Sequence, residues 1–341
     1  MAAVVNLPPY SNTGVSRASG VSLDWLEWTC DAVFGLSDVL PELRGAVEED
    51  LGRGMYGYRQ SKKVEGVLVL FDGSSESMGR HYSISGDVLR RLHGVYGVSG
   101  YDLLSRVLKV PSSHVTRADI AVDAVNHGIS RERIQEYLEN HWVVTRSNTW
   151  DVVGTRSFED GSYVAGWTVY VGARSSDQFV RIYDKKIERL VNAGKPVEVQ
   201  DWVRFEWVFR HDKAQAVAEV FVSGDIDAVF AILVGVLDFV DPVGSDRDRR
   251  RWSRALWFSA LMGQAKRGRL LVESDDWDVE ASYLWLQQVC AKVLGKVALA
   301  QQRSFSDLGL ELGQLGEAKM TTEDWSDVSR ASGGGPGGAR L

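Results

Sequence analysis

Gln178-Phe-Val-Arg-Ile-Tyr-Asp-Lys-Lys-Ile-Glu188 is the stretch that decides the fold of this 341-residue chain. Its first residues alternate between polar and apolar side chains, and a period of two predicts a β-strand. Arg181, Tyr183 and Lys185 would then project from one face of that strand, with the phenol between two cations. A tyrosine on a strand is most often a packing residue, and for this stretch alone that alternative stays open.

Two further stretches, 116–123 and 203–210, have the same period. In each of them one face is charged and the other is apolar. The charged positions are Arg117, Asp119, Asp123, Arg204, Glu206 and Arg210. Three strands of this kind predict antiparallel sheets that pack a core on one side and present one ionic, catalytic face on the other. The predicted fold class is therefore α+β, with flanking helices and a mostly helical C-terminal part.

The composition changes along the chain and predicts four segments. Residues 1–20 are rich in Ser, Gly and Pro and are expected to form a flexible arm, followed by an α+β catalytic region at 21–225. A helical region is expected at 226–310, and an acidic and then Gly-rich disordered tail at 311–341. Within the catalytic region Pro41–Leu51 is expected to be a short helix. The order strand-strand-helix occurs twice there, which suggests two related halves.

The cysteines and the apolar runs indicate the cellular compartment in which the protein is expected. Cys30 and Cys290 lie far apart in apolar surroundings, which is typical of buried free thiols in a cytoplasmic protein. The N-terminus has no basic-then-apolar signal peptide. The longest apolar run, around 228–240, is too short and too interrupted to span a membrane. We therefore expect a cytoplasmic protein without a membrane partner.

Basic residues are concentrated in two places, although the net charge is −7. The first group surrounds the tyrosine and consists of Arg174, Arg181, Lys185, Lys186 and Arg189. The second, the arginine cluster, consists of Arg247, Arg249, Arg250, Arg251 and Arg254, and is followed by Lys266, Arg267 and Arg269. A basic band on an acidic protein suits a nucleic acid that is bound locally. The candidate DNA-binding residues are Arg174, Lys186, Arg247, Arg250, Arg251 and Arg254.

The spacing within the arginine cluster predicts a helix. Steps of three and four residues would place four of its side chains on one helical face, namely Arg247, Arg250, Arg251 and Arg254. Such a face could grip the phosphates of DNA. The alternative is a solvated face whose arginines pair with Asp246 and Asp248, and the sequence leaves both open.

Three carboxylates on the charged strand faces are candidate metal ligands. Asp119, Asp123 and Glu206 offer hard oxygen atoms, which suit Mg²⁺ or Mn²⁺. In the alternative, each carboxylate pairs with a neighbouring arginine in a ladder across the sheet, and spacing does not decide between the two. No two of the six histidines have the spacing of a ligand pair, so zinc is not expected. A Gly-x-Gly-x-x-Gly or Walker phosphate loop is also absent, which gives no support to a nucleotide-hydrolysing motor.

If Tyr183 reacts, the chemistry is covalent catalysis. A phenol has a pKa of about 10, and a neighbouring lysine, arginine or metal ion favours its ionised form. The same cations would neutralise a phosphoryl group in transit, and a bound metal would polarise the scissile phosphate. Attack on DNA would leave a phosphotyrosine on one end and a free 3′-hydroxyl on the other.

The chain resembles the replication initiation factor family. That family includes rolling-circle initiators of Gram-positive plasmids, related phage initiators and the relaxases of some integrative conjugative elements. The resemblance covers most of the chain, and its specificity comes from the order and spacing of several motifs. These motifs are Leu23–Thr29, Met78–Gly86, Thr116–Asp123, Val169–Ser175, Arg181–Lys185, Val203–Glu206, Arg251–Trp257 and Trp285–Val289.

The resemblance implies an activity and a set of partners. Tyr183 would be the nucleophile, with Arg181 and Lys185 beside it, and Asp119 and Glu206 would belong to the metal site. The protein would nick one strand of double-stranded origin DNA at a single-stranded nick site through a 5′-phosphotyrosine, and leave a 3′-hydroxyl primer. A homodimer and a host helicase are also implied.

Two departures from the family bear on the kind of genetic element to which this chain belongs. The chain lacks the N-terminal helix-turn-helix domain that many conjugative-element relaxases carry, and it is more acidic than a typical plasmid initiator. Both favour a phage or small plasmid initiator.

The alternatives to a replication initiator are a conjugative relaxase with the same chemistry, a non-catalytic DNA-binding regulator of the same fold, and a structural protein whose ionic sheet face is only solvated.

Overall fold

The computed structural model describes most of the chain between residues 20 and 329. The described residues are 20–156, 158–159, 163–193, 198–268, 270, 279, 282–283, 286–320, 324–325 and 328–329. The chain forms two compact units, 1–271 and 272–341. The expected arm up to residue 19, Arg269, Trp285 and the Gly-rich end at 330–341 lie outside the described residues.

The first unit is built around a large antiparallel sheet, which has ten strands within the described ranges. These strands are β1 (Val21–Cys30), β2 (Glu48–Asp50), β3 (Tyr58–Val64), β4 (Val67–Gly73), β5 (Arg80–Ser85), β6 (His114–Val125), β8 (Trp150–Arg156), β9 (Tyr163–Val171), β10 (Gln178–Asp184) and β11 (Trp202–Arg210). A small sheet contains β7 (Val143–Thr145), β12 (Leu237–Asp241) and β13 (Ser253–Arg254).

Helices flank the sheets, as predicted. In the first unit they are α1 (Leu36–Val39), α2 (Gly86–Tyr96), α3 (Gly100–Val107), α4 (Arg131–Glu139), α5 (Lys185–Ala193), α6 (Asp212–Ser223), α7 (Ile226–Val236) and α8 (Leu256–Met262). The second unit contains α9 (Ala291–Ala300) and α10 (Phe305–Glu317). Among the helices that the structure describes, none has the length and apolar character needed to cross a membrane.

The large sheet consists of two halves with the same strand order. Its order is β2-β3-β4-β5-β1-β6-β11-β10-β9-β8. In each half the chain starts at the centre, with β1 or β6, moves to the outer edge and returns inward strand by strand. β1 and β6 pair antiparallel at the centre, with Leu26 opposite Ala118. The repeated strand-strand-helix order in the sequence reflects this topology.

The two faces of the large sheet differ as the alternation predicted. On β11, Phe205, Trp207 and Phe209 lie on the buried apolar face. Arg204 and Glu206 alternate with them and therefore lie on the opposite face, the ionic face. The fold class is thus α+β with antiparallel sheets and one ionic face, as the sequence indicated.

The small sheet packs against the apolar face of the large sheet. The ring of Phe239, on β12, lies 6.4 Å from the ring of Phe205, and the ring of Phe258, on α8, lies 5.7 Å from it. The small sheet is therefore separated from the ionic face by the thickness of the large sheet.

Two local predictions are wrong. Pro41–Leu51 is not one helix: Pro41–Leu43 forms a short 3-10 turn, and the chain then becomes the edge strand β2. Gly45 lies between them with φ of 80°, a left-handed conformation that ends helical geometry. The pairing of Glu48 with Lys62 on β3, at 2.6 Å, then holds the strand in place.

The arginine cluster is not one helix either. Arg249–Arg251 forms a single 3-10 turn, and Arg254 lies on β13. The side chain of Asp248 accepts a hydrogen bond from the backbone N–H of Arg250 and so begins the short turn. Arg254 lies in the small sheet because its Nε donates a hydrogen bond to Oδ1 of Asp238 over 2.7 Å. Tertiary ion pairs thus override the helical spacing.

Candidate active site

Tyr183 is placed by its pairing on both sides of β10. It lies opposite Arg204 on β11 and opposite Thr168 on β9. Arg181, two residues earlier, lies opposite Glu206 on β11. Because side chains two residues apart share a face, Arg181 and Tyr183 both project onto the ionic face.

The hydroxyl of Tyr183 donates a hydrogen bond to Oε2 of Glu206 over 3.1 Å. The other carboxylate oxygen, Oε1, accepts from Nε of Arg181 over 2.7 Å. Glu206 is fully buried, and burial raises its pKa to about 8. Burial also raises the pKa of the Tyr183 phenol well above its usual value. Both groups therefore favour their protonated forms at neutral pH, and Glu206 must ionise before it can take the phenol proton.

Two cations flank the ring of Tyr183, as the sequence predicted, but only one of them comes from the strand. Cζ of Arg181 lies 5.8 Å from the ring centroid and Nζ of Lys185 lies 5.5 Å from it. The prediction that Lys185 lies on the strand is wrong, because β10 ends at Asp184 and Lys185 is the first residue of α5. The carboxylate of Asp184 accepts the backbone N–H of Ile187 over 2.8 Å, which starts that helix.

Lys185 is almost completely buried. Its side chain is 4% exposed, and Nζ lies 2.8 Å from Oε2 of Glu188, one turn further along α5. Burial, followed by the nearby Arg204, lowers the pKa of Lys185. A lysine in this state is both a phosphate-neutralising cation and a group able to give up its proton.

A cleft of about 260 Å³ opens beside Tyr183. Its lining combines aromatic and charged side chains, which include Asp24, Trp25, Arg90, Tyr170, Tyr183 and Lys185. The cleft also touches Gly86, the first residue of α2, where a Cβ would lie only 2.5 Å from Oδ1 of Asp24. Aromatic rings beside fixed cations are the usual features of a site for single-stranded nucleic acid.

Sequence reasoning missed two carboxylates of the ionic face, Asp24 and Glu27. Oδ1 of Asp24 lies 2.5 Å from Arg204, and Oε1 of Glu27 lies 3.9 Å from Arg117. Both belong to β1, in which the register shifts between Leu23 and Trp25. The available signal was the presence of two acidic residues in a mostly apolar strand.

His81, which was not a candidate, also reaches this face. It is 8% exposed, and its Nε2 lies 3.7 Å from Oε2 of Glu27. That nitrogen has no hydrogen-bond partner among the described residues. Burial lowers the pKa of His81, so the ring is neutral at pH 7.

The three predicted metal ligands do not form a metal site in this arrangement. Asp119 is fully buried and accepts two hydrogen bonds from Arg117, over 2.9 and 2.7 Å. Arg181 bridges Asp119 and Glu206, because its Nη2 also lies 3.6 Å from Oδ2 of Asp119. The carboxylates thus form the arginine ladder that was the alternative reading of their spacing.

Asp123 belongs to a separate ion-pair group. Both of its oxygens accept from Arg204, over 2.8 and 2.7 Å, and Oδ1 also accepts from Nε1 of Trp202 over 2.7 Å. Within the described ranges, no three His, Cys, Asp or Glu side chains are grouped so that they could hold an ion. The donor chemistry suits a hard cation, but guanidinium groups take the places that a cation would need.

The predicted DNA-binding residues lie in two regions. Arg174 and Lys186 flank the tyrosine strand: Arg174 is 62% exposed with its Cζ 4.9 Å from the ring of Tyr170, and Nζ of Lys186 donates to the carbonyl of Gln200 over 3.2 Å. The arginine cluster lies beside the small sheet instead.

Within the arginine cluster, several guanidinium groups already have carboxylate partners. Arg250 pairs with Asp248 at 2.9 Å, and Arg251 pairs with Asp246 at 2.6 Å. Arg254 is only 11% exposed and binds Asp238. These pairs match the solvated-face alternative for Arg250 and Arg251.

Comparison with known proteins gives a consistent result. The family model described as replication initiation factor matches residues 113–309. The Bacillus subtilis (strain 168) protein named "Putative DNA relaxase NicK" is 23% identical over 255 residues, which cover 73% of this chain and 72% of that protein. The solved structure of a rolling-circle replication initiator protein from Geobacillus stearothermophilus has a TM-score of 0.60 and 26% identity, and the match covers 74% of this chain and all of that one.

Proposed function

Because this chain belongs to the replication initiation factor family, we propose that it starts rolling-circle replication by nicking one DNA strand through Tyr183. The observation that supports this most directly is the setting of Tyr183. Its hydroxyl is hydrogen-bonded to the buried Glu206, its ring lies between Arg181 and Lys185, and it faces a cleft of about 260 Å³.

The proposed step is a displacement at phosphorus. The oxygen of Tyr183 forms a bond to the scissile phosphorus, and the bond between that phosphorus and the 3′ oxygen breaks. In its ionised form, Glu206 takes up the phenol proton at Oε2, the atom that accepts the phenol's hydrogen bond. The 3′ oxygen takes up a proton from solvent and becomes the hydroxyl that primes synthesis. The phosphotyrosine retains the energy of the broken bond, so the strand can be rejoined without a nucleotide cofactor.

The two cations beside the ring have separate tasks in this step. Arg181 is fixed by Glu206 and Asp119, so its charge is available at a constant position as negative charge develops on the phosphate. Lys185 enters from α5 and adds a second positive charge from the other side of the ring. Arg174 and Lys186, which are further out, would hold the strand on either side of the nick.

We propose Mg²⁺ or Mn²⁺ as the cofactor, with Asp119 and Glu206 as its ligands. The present arrangement does not fit that ion, because Arg181 occupies the space between these two carboxylates. Binding of a cation therefore requires that the guanidinium move away. When bound, the ion would supply Lewis-acid activation of the phosphate. No part of the displacement described above depends on it.

The partners that we propose follow from the same chemistry. The substrate is origin DNA that exposes a short single strand at the nick site, and the aromatic lining of the cleft suits unstacked bases. A host helicase would unwind the duplex from the nick, and a second copy of this chain would supply a second tyrosine to end the cycle. We expect these steps in the cytoplasm.

A relaxase for conjugative transfer is the second candidate, because the Bacillus subtilis relative carries that name. The chemistry is identical, and only the DNA element differs. Incubation of the protein with supercoiled DNA of its own genetic element and Mn²⁺, followed by denaturing gel electrophoresis, tests the shared proposal. A protein–DNA adduct on the 5′ end of one strand supports it, and intact supercoiled DNA at all protein concentrations would contradict it.

The position of the nick decides between the two candidates. Primer extension up to the adduct maps the nucleotide that carries the tyrosine. A nick from which leading-strand replication of the element starts supports the initiator. A nick used only when DNA is transferred between cells supports the relaxase.

A further inference from the structure

A second positively charged pocket lies beside the small sheet. Its volume is about 620 Å³. Among the described residues, its lining contains five arginines and a single carboxylate, that of Asp248. The arginines are Arg146, Arg247, Arg249, Arg250 and Arg267. Arg146 lies far from the cluster in sequence, and the pairing of β7 with β12 brings its segment close to the cluster.

Part of this pocket is fixed by internal contacts. Nη1 of Arg249 donates to the carbonyl of His141 over 2.9 Å. Arg267 donates to Oδ2 of the buried Asp238 over 2.6 Å and to the carbonyl of Arg250 over 2.7 Å. These contacts use one side of each guanidinium and hold the pocket wall in place.

Two of the arginines have no partner among the residues that the structure describes. Arg146 and Arg247 are exposed, and neither makes an ion pair or a side-chain hydrogen bond with any of the described residues. Asp248, the only carboxylate in the described part of the lining, is already paired with Arg250 and Arg251. The pocket therefore has an excess of positive charge that the described part of the protein does not neutralise.

The position of the pocket separates it from the tyrosine cleft. The small sheet packs through Phe239 on the apolar face of the large sheet, whereas Tyr183 and Glu206 lie on the ionic face. A strand held at Tyr183 would have to pass round an edge of the large sheet to reach the pocket. A nucleic acid bound at this pocket would therefore be a different segment from the one at Tyr183.

The chemistry of the lining indicates which kind of segment. No aromatic side chain is present among the described residues that line the pocket, in contrast to the cleft with Trp25 and Tyr170. Recognition of single strands relies on stacking of bases on aromatic rings. Contacts to duplex DNA are made largely to phosphates, and guanidinium groups bind two phosphate oxygens at once.

We propose that this pocket binds the backbone phosphates of duplex DNA beside the nick site, with Arg146 and Arg247 as the principal contacts. The inference rests on the proposed function, since it assumes that DNA is the substrate. It adds a second DNA site on the opposite face of the large sheet, so that a duplex arm is held while a single strand occupies the tyrosine cleft.

The test measures salt dependence in a protein that cannot nick. In the Tyr183→Phe background, Arg146→Ala/Arg247→Ala is compared with Arg44→Ala/Arg53→Ala. The control removes the same charge from two exposed arginines near β2 that make no ion pair with the described residues. Affinity for a short duplex is measured by fluorescence anisotropy over a range of NaCl concentrations.

The slope of log affinity against log salt is expected to become shallower by about two in the pocket variant, since each phosphate contact contributes about 0.9. The control should keep the slope of the parent protein. Equal slopes in the two variants would overturn the proposal. An equal loss for duplex and single-stranded oligonucleotides would also overturn it, because the pocket would then not distinguish duplex DNA.

The proposed function can fail independently of this result. Binding is measured without the nucleophile, so an absence of nicking in the unmodified protein leaves the slopes interpretable. A thermal melt of each variant confirms that it is folded, and both pairs of arginines are exposed, so truncation should leave the melting temperature unchanged.

Discussion

Tyr183 and Glu206 lie on neighbouring antiparallel strands, two positions from directly opposite each other, and the tyrosine hydroxyl donates to the carboxylate over 3.1 Å. This diagonal contact depends on the strand register, because Arg181 takes the position directly opposite Glu206. A shift of one residue would turn Tyr183 to the apolar face. The register of β10 against β11 is therefore a requirement for the proposed chemistry.

Tyr183→Phe should abolish nicking and the covalent adduct while the protein still folds and binds DNA. The substitution removes only the hydroxyl, and the loss of one hydrogen bond should cost about 1 kcal/mol of unfolding free energy. Nicking is measured on supercoiled origin DNA and stability by urea titration. A variant that nicks at the unmodified rate would move the nucleophile to Tyr170 or Tyr163.

Glu206→Gln should slow nicking by about 100-fold or more, because the amide cannot accept the phenol proton. Asp119→Asn is the matched comparison, since Asp119 contacts Arg181 but not the tyrosine. It should slow nicking less, because it leaves the acceptor of the phenol proton in place. Single-turnover rates on an oligonucleotide give the comparison, and an equal effect of both changes would point to a shared ligand role instead.

Stability should depend on pH through Glu206. Its pKa is about 8 in the folded protein, above the value of about 4.5 of a free glutamate. The folded state therefore binds more protons than the unfolded state between these values, and stability is lost as pH rises through about 8. The melting temperature of the unmodified protein should fall relative to that of Glu206→Gln over this range. Parallel melting curves at every pH would show that the carboxyl titrates normally.

Arg181→Ala should bind Mn²⁺ more tightly than the unmodified protein. The guanidinium lies between Asp119 and Glu206, and its removal leaves two carboxylates without their cation. Binding is followed by the electron paramagnetic resonance signal of free Mn²⁺, independently of nicking. Arg204→Ala is the control at the neighbouring ion-pair group of Asp123. Unchanged affinity in Arg181→Ala would place the metal away from Asp119 and Glu206.

Gly235→Ala should destabilise the protein by about 1–3 kcal/mol. Gly235 lies near the end of α7, and a Cβ there would be 1.9 Å from the carbonyl oxygen of Gly268, which cannot be relieved by a side-chain rotation. Gly94→Ala, on α2, is the control, because no atom lies within 4 Å of its Cβ position. That change should stabilise by about 0.4–1 kcal/mol. Urea titration of both variants checks the contrast.

Features that depend on local sequence could be predicted, whereas features that depend on contacts distant in sequence could not. Alternation is a local property, so the strands around Asp119, Tyr183 and Glu206 and the ionic face could be predicted. The irregular register in β1 breaks the alternation, and Asp24 and Glu27 were therefore missed. The steps of three and four in the arginine cluster imitate a helix, but Asp238 lies sixteen residues before Arg254 and determines its conformation through a buried ion pair.

The candidate metal site shows a second limit of prediction from residue spacing. Spacing places carboxylates and arginines on one face and does not tell which of them touch. The contacts of Arg117 with Asp119 and of Arg181 with Glu206 depend on how adjacent strands are aligned. Strand alignment is a tertiary property, and in this arrangement it pairs the expected metal ligands with arginines.

The central pairing of β1 with β6 has a consequence for the way this protein is made on the ribosome. All strand pairs of the first half can form before β6 is synthesised, but β1 then remains an open edge until Leu26 meets Ala118. The ionic face also stays incomplete, since Asp24 and Glu27 obtain their arginines from the second half. Pausing of translation between α3 and β6 should therefore promote aggregation of the nascent chain.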